Sequence, residues 1–530
     1  MTAAVRRALA TGAILSLAAC GAGGPTAPTY VSVPPPPPAS VGVNPLEPSG
    51  QGAFVSGIVP AAAAAATMGL VSVDFPADSS IAGTVLINAK AGAAAPSSVA
   101  RSARRRAAAA DAHGVSVRAV AGPPPPGAHQ TFFVGNTASR GGPVVGYASY
   151  PFTLVSTSAH TAVWVQDAVL ATFAPVSSTF ANDAEVAYVS DTAAIGPAAY
   201  TEAAVGRVTS APYCDSAGNP AGSGPRYAAP FAYVNVLVVD ANTVGRTAGL
   251  EYVPDDLYAQ PYANCDTGPV RRHSNEGGFI VAPLAPTANV HYHVQQLLAH
   301  QLTHLIQFVD QAIVLGRTNA PPAAIREGLA DLARDIALGT TDLANVAEQT
   351  SPFLPRPQDY SILGMTGAHG YYAGGNYGGA YLLMRYIADQ HGYGFVKSYV
   401  QNDPLTGAKA SYDALAAAAG APSFDGLFRD FGATLAASAV GLPPQPPYAF
   451  TSLQFGRTYQ NVQTNDSAAA TVAVAPVGVA GTTTFDANQP FAIYPGGLTV
   501  LTLASPVSKE QLYVGDATKM LGIGGVIASR

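Results

Sequence analysis

Two histidines four residues apart constrain this chain more than any other feature. His300 and His304 lie in the segment from Val294 to Phe308, whose apolar residues recur at the spacing of a helix. A helix places residues i and i+4 on one face, so both imidazoles project from the same side. Buried imidazoles need polar partners, and a metal ion is a partner that both can share. The pair alone also fits two histidines that are not metal ligands.

The residue that follows the first histidine departs from the usual zinc motif. Helices that bind zinc for peptide hydrolysis read His-Glu-x-x-His, and the Glu is the general base. In this chain Gln301 occupies that position. A neutral amide forms hydrogen bonds but does not take up a proton, and losing a general base costs about 10² to 10⁴ in rate. The sequence therefore predicts a metal site whose catalytic base is missing.

A second helix carries two acidic residues at the same spacing. The segment Ile325–Asp331 follows a connection with two prolines, which predict a helix start. Glu327 and Asp331 then lie on one face of that helix. The arrangement resembles the gluzincin class of metallopeptidases. The resemblance implies that Glu327 completes a zinc site and that Asp331 holds the first histidine by its other ring nitrogen. Both acids also fit a solvated helix face.

Further segments resemble the hyicolysin family of bacterial zinc metallopeptidases. They are Val163-Trp164-Val165, Ser274-Asn275-Glu276 and Tyr377-Gly378-Gly379-Ala380-Tyr381-Leu382-Leu383, and with the two helices they span about residues 130 to 440. The resemblance implies Zn²⁺ as cofactor, an extended peptide or protein ligand bound along a sheet edge, and a tyrosine that stabilises the oxyanion. Tyr377 is the candidate for that tyrosine. Members of the family carry Glu at the position of Gln301, so the resemblance does not extend to catalysis.

The N-terminal residues predict export. Arg6 and Arg7 precede an apolar run that ends in Leu17-Ala18-Ala19-Cys20. This resembles a lipoprotein signal of residues 1–19, after which Cys20 is lipidated and anchors the protein in a membrane. A secretory signal cleaved nearby is the alternative. Gly21 after the cysteine is typical of outer-membrane lipoproteins, so the predicted location is the bacterial cell envelope.

The other two cysteines and the charge composition fit this location. Cys214 and Cys265 form an even pair in an oxidising compartment, which predicts a disulfide. Neither has a second Cys or His at short ligand spacing, which argues against a zinc role. Charged residues make up only 11%, the net charge is −6, and no basic patch indicates a nucleic-acid partner.

Composition shifts along the chain predict a multidomain α+β protein. Strand-like patches dominate the first half, helices carry the histidines, and a Thr/Val/Gly-rich stretch follows Pro443-Pro444-Gln445-Pro446-Pro447. The predicted divisions are a signal peptide (1–19), a Pro-rich tether (20–52), a small β segment with a basic Ala/Pro-rich linker (53–127), the β-rich half of a peptidase-like unit (128–292), its mainly helical zinc-site half (293–440) and a C-terminal β domain (441–530).

Three functions fit these features. The first is a catalytically impaired or inactive zinc peptidase relative that binds peptides. The second is an active zinc endopeptidase with a displaced base, or with Gln301 positioning the attacking hydroxide. The third is a surface lipoprotein that uses the fold only for adhesion. Zinc content separates the third from the others, and proteolysis separates the first two.

Substitution of Cys20 tests the predicted lipid anchor. We expect the wild-type protein to partition into detergent, because more than one acyl chain is needed for stable anchoring. Cys20→Ser should release the protein or block its maturation, as followed by phase partitioning and N-terminal sequencing. A fully soluble wild type whose N-terminus is not Cys20 would contradict the prediction.

Overall fold

A computed structural model gives the fold of most of the chain. It describes residues 122–137, 144–198, 211–240, 251–268, 272–284, 290–317, 319–337, 350–368 and 373–455, with strands between 42 and 91 and between 458 and 529. The predicted signal peptide with Cys20 and the basic stretch 101–106 lie outside the described residues. Among the helices that the structure describes, none combines the length and the apolar character needed to cross a bilayer.

Strands and helices are both abundant, which confirms the predicted α+β class. The strands are β1 (Gly42–Pro45), β2 (Glu47–Pro48), β3 (Phe54–Ile58), β4 (Ala66–Ser72), β5 (Gly83–Ala91), β6 (His129–Thr137), β7 (Val144–Thr157), β8 (Thr161–Gln166), β9 (Ala211–Cys214), β10 (Pro220–Gly224), β11 (Val234–Asp240), β12 (Glu251–Tyr252), β13 (Phe279–Leu284), β14 (Tyr360–Ser361), β15 (Thr366–Gly367), β16 (Thr458–Gln460), β17 (Ala469–Thr471), β18 (Val477–Gly478), β19 (Gln489–Ile493), β20 (Leu498–Leu503), β21 (Glu510–Asp516) and β22 (Ile523–Ser529). The helices are α1 (Leu170–Phe173), α2 (Ser177–Ala194), α3 (Gln260–Ala263), α4 (Val290–Phe308), α5 (Ala323–Ala337), α6 (Gly374–His391), α7 (Gly394–Asn402), α8 (Ala408–Ala418) and α9 (Phe424–Ala439).

A six-stranded mixed sheet carries the helices that form the site. Its strand order is β12-β13-β11-β8-β7-β6, in which β8, β11 and β13 are parallel and both edges are antiparallel. All six residues of β8 are buried, because both faces of the sheet are covered. Val163 and Val165 join the core shared with the helices, whereas Ala162 and Trp164 join an aromatic cluster around Phe132 on the opposite face.

Helix α4 packs between α2 and α5, and α5 packs in turn against α6. Helix α2 lies within residues 128–292, the segment that the sequence predicts to be the β-rich half of the unit. Its apolar spacing does not reveal it, because Asp183 and Asp191 lie on its buried side while Val186 and Val189 are partly exposed. Tertiary packing against the sheet and α4, rather than a clean apolar stripe, therefore stabilises this helix.

The predicted N-terminal and C-terminal β segments are joined in the structure. Strands β4 and β22 pair along their whole lengths, and β5 pairs with both β19 and β21, so two five-stranded sheets combine both ends of the chain. A few isolated strands are only marginally stable in water, which favours pairing of the two segments. The first of these sheets packs on α9, where a Cβ added to Gly432 would lie 2.6 Å from Val71 Cγ1.

The disulfide between Cys214 and Cys265 closes a loop with a sequence separation of 51. In the chain-entropy model a loop of this size stabilises the fold by about 4 kcal/mol.

We expect the double substitution of both cysteines by Ser to lower the free energy of unfolding by about 2 to 4 kcal/mol in urea titration. Reductant should lower the stability of the wild type and leave the double variant unchanged. An unchanged unfolding midpoint in the double variant would contradict the prediction.

Candidate metal centre

The structure brings together three side chains that sequence analysis nominates as zinc ligands. His304 Nε2 lies 3.2 Å from His300 Nε2 and 3.3 Å from Glu327 Oε2, and His300 Nε2 lies 3.6 Å from the same oxygen. Within the part of the chain that the structure describes, these residues form the one group of at least three His, Cys, Asp or Glu donors within 4.8 Å of each other. Two helices contribute to it, since α4 carries both histidines and α5 carries the glutamate.

The donor set fits a tetrahedral zinc ion. Zinc binds imidazole nitrogen and carboxylate oxygen at about 2.0 to 2.2 Å, which places tetrahedral donors about 3.3 to 3.6 Å apart. The three observed separations of 3.2, 3.3 and 3.6 Å agree with that spacing. Three protein ligands leave a fourth position for an exchangeable ligand, as in catalytic rather than structural zinc sites.

Asp331 orients the first histidine. His300 Nδ1 lies 3.0 Å from Asp331 Oδ1, so the ring donates its Nδ1–H to the carboxylate and presents the Nε2 lone pair to the site. Arg334 Nη1 lies 3.5 Å from the same carboxylate oxygen, and Arg334 Nη2 donates to Gln296 Oε1 at 3.1 Å. Asp331, Arg334 and Gln296 thus form a buried network on the Nδ1 side of His300.

The electrostatics of the centre favour a cation between the three donors. Burial alone would lower the pKa of His300, but the carboxylates of Asp331 and Glu327 outweigh it and raise this pKa to about 9. Burial opposes ionisation of Glu327, yet the two histidines hold its pKa well below the usual range. Burial lowers the pKa of His304, against the attraction of Glu327. The site therefore combines an ionised carboxylate with two imidazoles. A bound zinc ion would supply the positive charge that this carboxylate attracts.

Arg326 is a contact of the centre that sequence analysis missed. Its Nε and Nη2 lie 3.2 and 3.1 Å from Glu327 Oε1, while Glu327 Oε2 faces the histidines. The guanidinium therefore holds one carboxylate oxygen and leaves the other for the metal. Its place directly before the nominated ligand was visible in the sequence. Its contact was not, because neighbouring helix residues point in different directions.

Gly328 lets α5 approach α6 closely behind the glutamate. A Cβ at this position would lie 2.8 Å from the backbone oxygen of Ala380 and 2.9 Å from Met384 Cγ, so only glycine fits without a shift of α6.

Tyr377 lies nearly one turn before Ala380 and is half-buried. Tyr377 lies within the first turn of α6, which begins at Gly374. Its assignment as an oxyanion donor stays a prediction.

Gln301 is half-buried and follows His300 on α4. A helix rotates about 100° per residue, so Gln301 flanks the face that carries the two ligands.

Asp191 of α2 is a further acid near this helix and is fully buried. Burial raises its pKa well above the usual range, against the opposing effects of the Thr303 hydroxyl and the charge of His300. Sequence spacing gave no signal for it, because α2 is distant along the chain.

The chain matches no protein-family model, and no curated protein is significantly similar to it. The interpretation of the metal centre therefore depends on its own geometry.

Replacement of a histidine ligand tests the centre directly. We expect wild-type protein to bind one Zn²⁺, and His304→Ala to lose stoichiometric zinc, because two remaining ligands hold the ion weakly. Metal content after dialysis, measured by elemental analysis, checks this. His391→Ala is the matched control, because this exposed histidine at the end of α6 should not affect zinc. Equal zinc in wild type and His304→Ala would rule out the assignment.

Proposed function

We propose that this protein is an exported zinc-binding relative of the gluzincin peptidases, similar to the hyicolysin family, with impaired peptide hydrolysis. One observation carries the proposal: the donor atoms of His300, His304 and Glu327 converge at zinc-ligand spacing while Gln301 occupies the position of the base. Bound zinc in such a site supplies Lewis-acid polarisation of a carbonyl oxygen.

The substitution at Gln301 affects proton transfer and spares metal binding. Its amide can donate and accept hydrogen bonds and so orient a polar ligand in the cleft, but it cannot hold a proton. Loss of general-base catalysis raises the barrier by about 3 to 5.5 kcal/mol. Asp331 orients His300 and Arg326 holds Glu327, so these two ligands have partners other than residue 301. Zinc binding and hydrolysis are therefore separable in this chain.

The nearby carboxylates argue against a displaced base. Glu327 faces both histidines and Arg326, and Asp331 contacts His300 and Arg334. Asp191 is fully buried and is not one of the three grouped donors. Among the residues that the structure describes, no further carboxylate joins the three donors within 4.8 Å. These contacts favour an impaired peptidase over an active one.

An extended peptide is the ligand class that the sheet edges favour. Edge strand β12 pairs antiparallel with β13 and packs against α4, the helix of the two histidines. At the other edge, the Asn275 side chain bonds both the N–H and the carbonyl of Phe133 in β6, at 2.8 Å each. That contact occupies backbone groups which an added strand would need. Peptide addition is therefore proposed at β12.

Export agrees with the disulfide. The bond between Cys214 and Cys265 is typical of an oxidising compartment, which supports the cell-envelope location implied by the N-terminal residues. Cys20 then provides the proposed membrane anchor.

Restoring the carboxylate tests the proposal. We expect Gln301→Glu to raise zinc-dependent peptide hydrolysis at least about 10²-fold, because the change restores a proton acceptor with almost no change in volume. The assay is cleavage of casein or a quenched fluorescent peptide by zinc-loaded protein. Gln401→Glu is the control, since it adds the same charge at an exposed position of α7.

Two outcomes would contradict the proposal in different ways. A Gln301→Glu variant that binds zinc but remains inert would show that the cleft lacks more than its base. A wild type as fast as the variant would show that another residue accepts the proton, and the impaired-peptidase interpretation would be wrong.

A further inference from the structure

The position of Arg326 indicates what kind of ligand the metal centre accepts. Its two nitrogens lie 3.2 and 3.1 Å from the Glu327 oxygen that faces away from the histidines. A guanidinium so close to a proposed metal ligand belongs to the metal centre rather than to the remote surface. The contact also keeps the guanidinium in place, since a charge-assisted pair to a single carboxylate restricts the long side chain.

Arg326 is more exposed to solvent than the three donors. Its side chain is 34% exposed, whereas those of His300, His304 and Glu327 are 12%, 11% and 10% exposed. The guanidinium is therefore the most solvent-accessible of these four groups.

The charges around the pocket add up to an excess of positive charge when zinc is bound. Zn²⁺ contributes two positive charges, Arg326 one, and Glu327 one negative charge. Asp331 is balanced by Arg334 at 3.5 Å, and Gln301 is neutral. In a peptidase with Glu at that position, the net charge of the site would be one unit less positive. Loss of the base thus makes the site less suited to catalysis and more attractive to an anion.

A carboxylate matches both positive groups. It binds Zn²⁺ through oxygen, and it pairs with guanidinium groups through charge-assisted hydrogen bonds. Gln301 is neutral, whereas a Glu at this position would repel a second carboxylate. A neutral peptide carbonyl would gain much less from the excess charge.

We propose that the exchangeable ligand of the metal centre is a carboxylate, supplied by the free C-terminus of a peptide, and that Arg326 selects it. This inference rests on the proposed zinc function. The peptide source follows from the edge strand β12, which packs against the histidine helix and suits an extended chain.

The test compares two probes on zinc-loaded protein by titration calorimetry. One is an N-acetylated alanine peptide with a free C-terminal carboxylate, and the other is the same peptide with a C-terminal amide. We expect the free acid to bind at least about tenfold more tightly, about 1.4 kcal/mol. Arg326→Gln should remove most of this preference. Lys409→Gln, which removes one positive charge from an exposed position of α8, should retain it. Acetate as a third probe separates the sources, because it should bind more weakly than the peptide acid.

Arg326→Lys keeps the inference testable if Arg326→Gln loses zinc. It retains the charge without the planar fork, so we expect it to hold zinc and to keep a preference for the acid. Equal affinities for acid and amide in zinc-loaded wild type would overturn the carboxylate inference while leaving the zinc function intact. Acetate binding as tightly as the peptide acid would overturn the peptide source, and an unchanged preference in a zinc-loaded Arg326→Gln variant would overturn the role of Arg326. Absence of zinc from the wild type would overturn the zinc function and this inference with it.

Discussion

Close packing of α5 against α4 is the contact on which the rest of the site depends. It sets Glu327 opposite the histidine pair and Asp331 behind His300, so one helix supplies both a ligand and the group that orients another ligand. Gly328 makes this geometry possible on the far side, because any larger residue would push α6 away from α5. Groups that orient zinc ligands typically change metal affinity by about 10- to 100-fold, which makes this packing as important as the ligands themselves.

The proposed function separates two properties that zinc peptidases normally combine. Metal binding depends on three donor atoms and on the carboxylate and guanidinium groups that hold them. Hydrolysis additionally needs one proton acceptor, which Gln301 cannot provide. Because Gln and Glu are nearly equal in volume, the substitution leaves packing intact while it changes the charge of the cleft. Under the proposed function, such a site binds zinc while it lacks most of the hydrolytic rate.

The two edges of the central sheet differ in how they are protected. At β6 a side-chain amide takes the place of a neighbouring strand, since Asn275 bonds both backbone groups of Phe133. At β12 the edge lies beside the helix of the metal ligands. Unpaired strand edges recruit other chains unless they are covered, and the strand addition proposed at β12 agrees with the covered edge at β6. The proposed carboxylate preference would then act on a peptide that arrives along this edge.

Local patterns were enough to predict the helices of the site and the residues nominated as its metal ligands. The His300/His304 spacing and the Glu327/Asp331 spacing each predict one helix face, and Cys214 and Cys265 were a simple even pair. Spacing cannot show which faces meet, so the contact of Arg326 with the glutamate and the position of α2 behind α4 emerged only from the tertiary structure. The pairing of β4 with β22 is the extreme case, since the two strands lie at opposite ends of the chain. Strand alternation indicates a buried face but carries no information about the partner, and only the folded chain decides it.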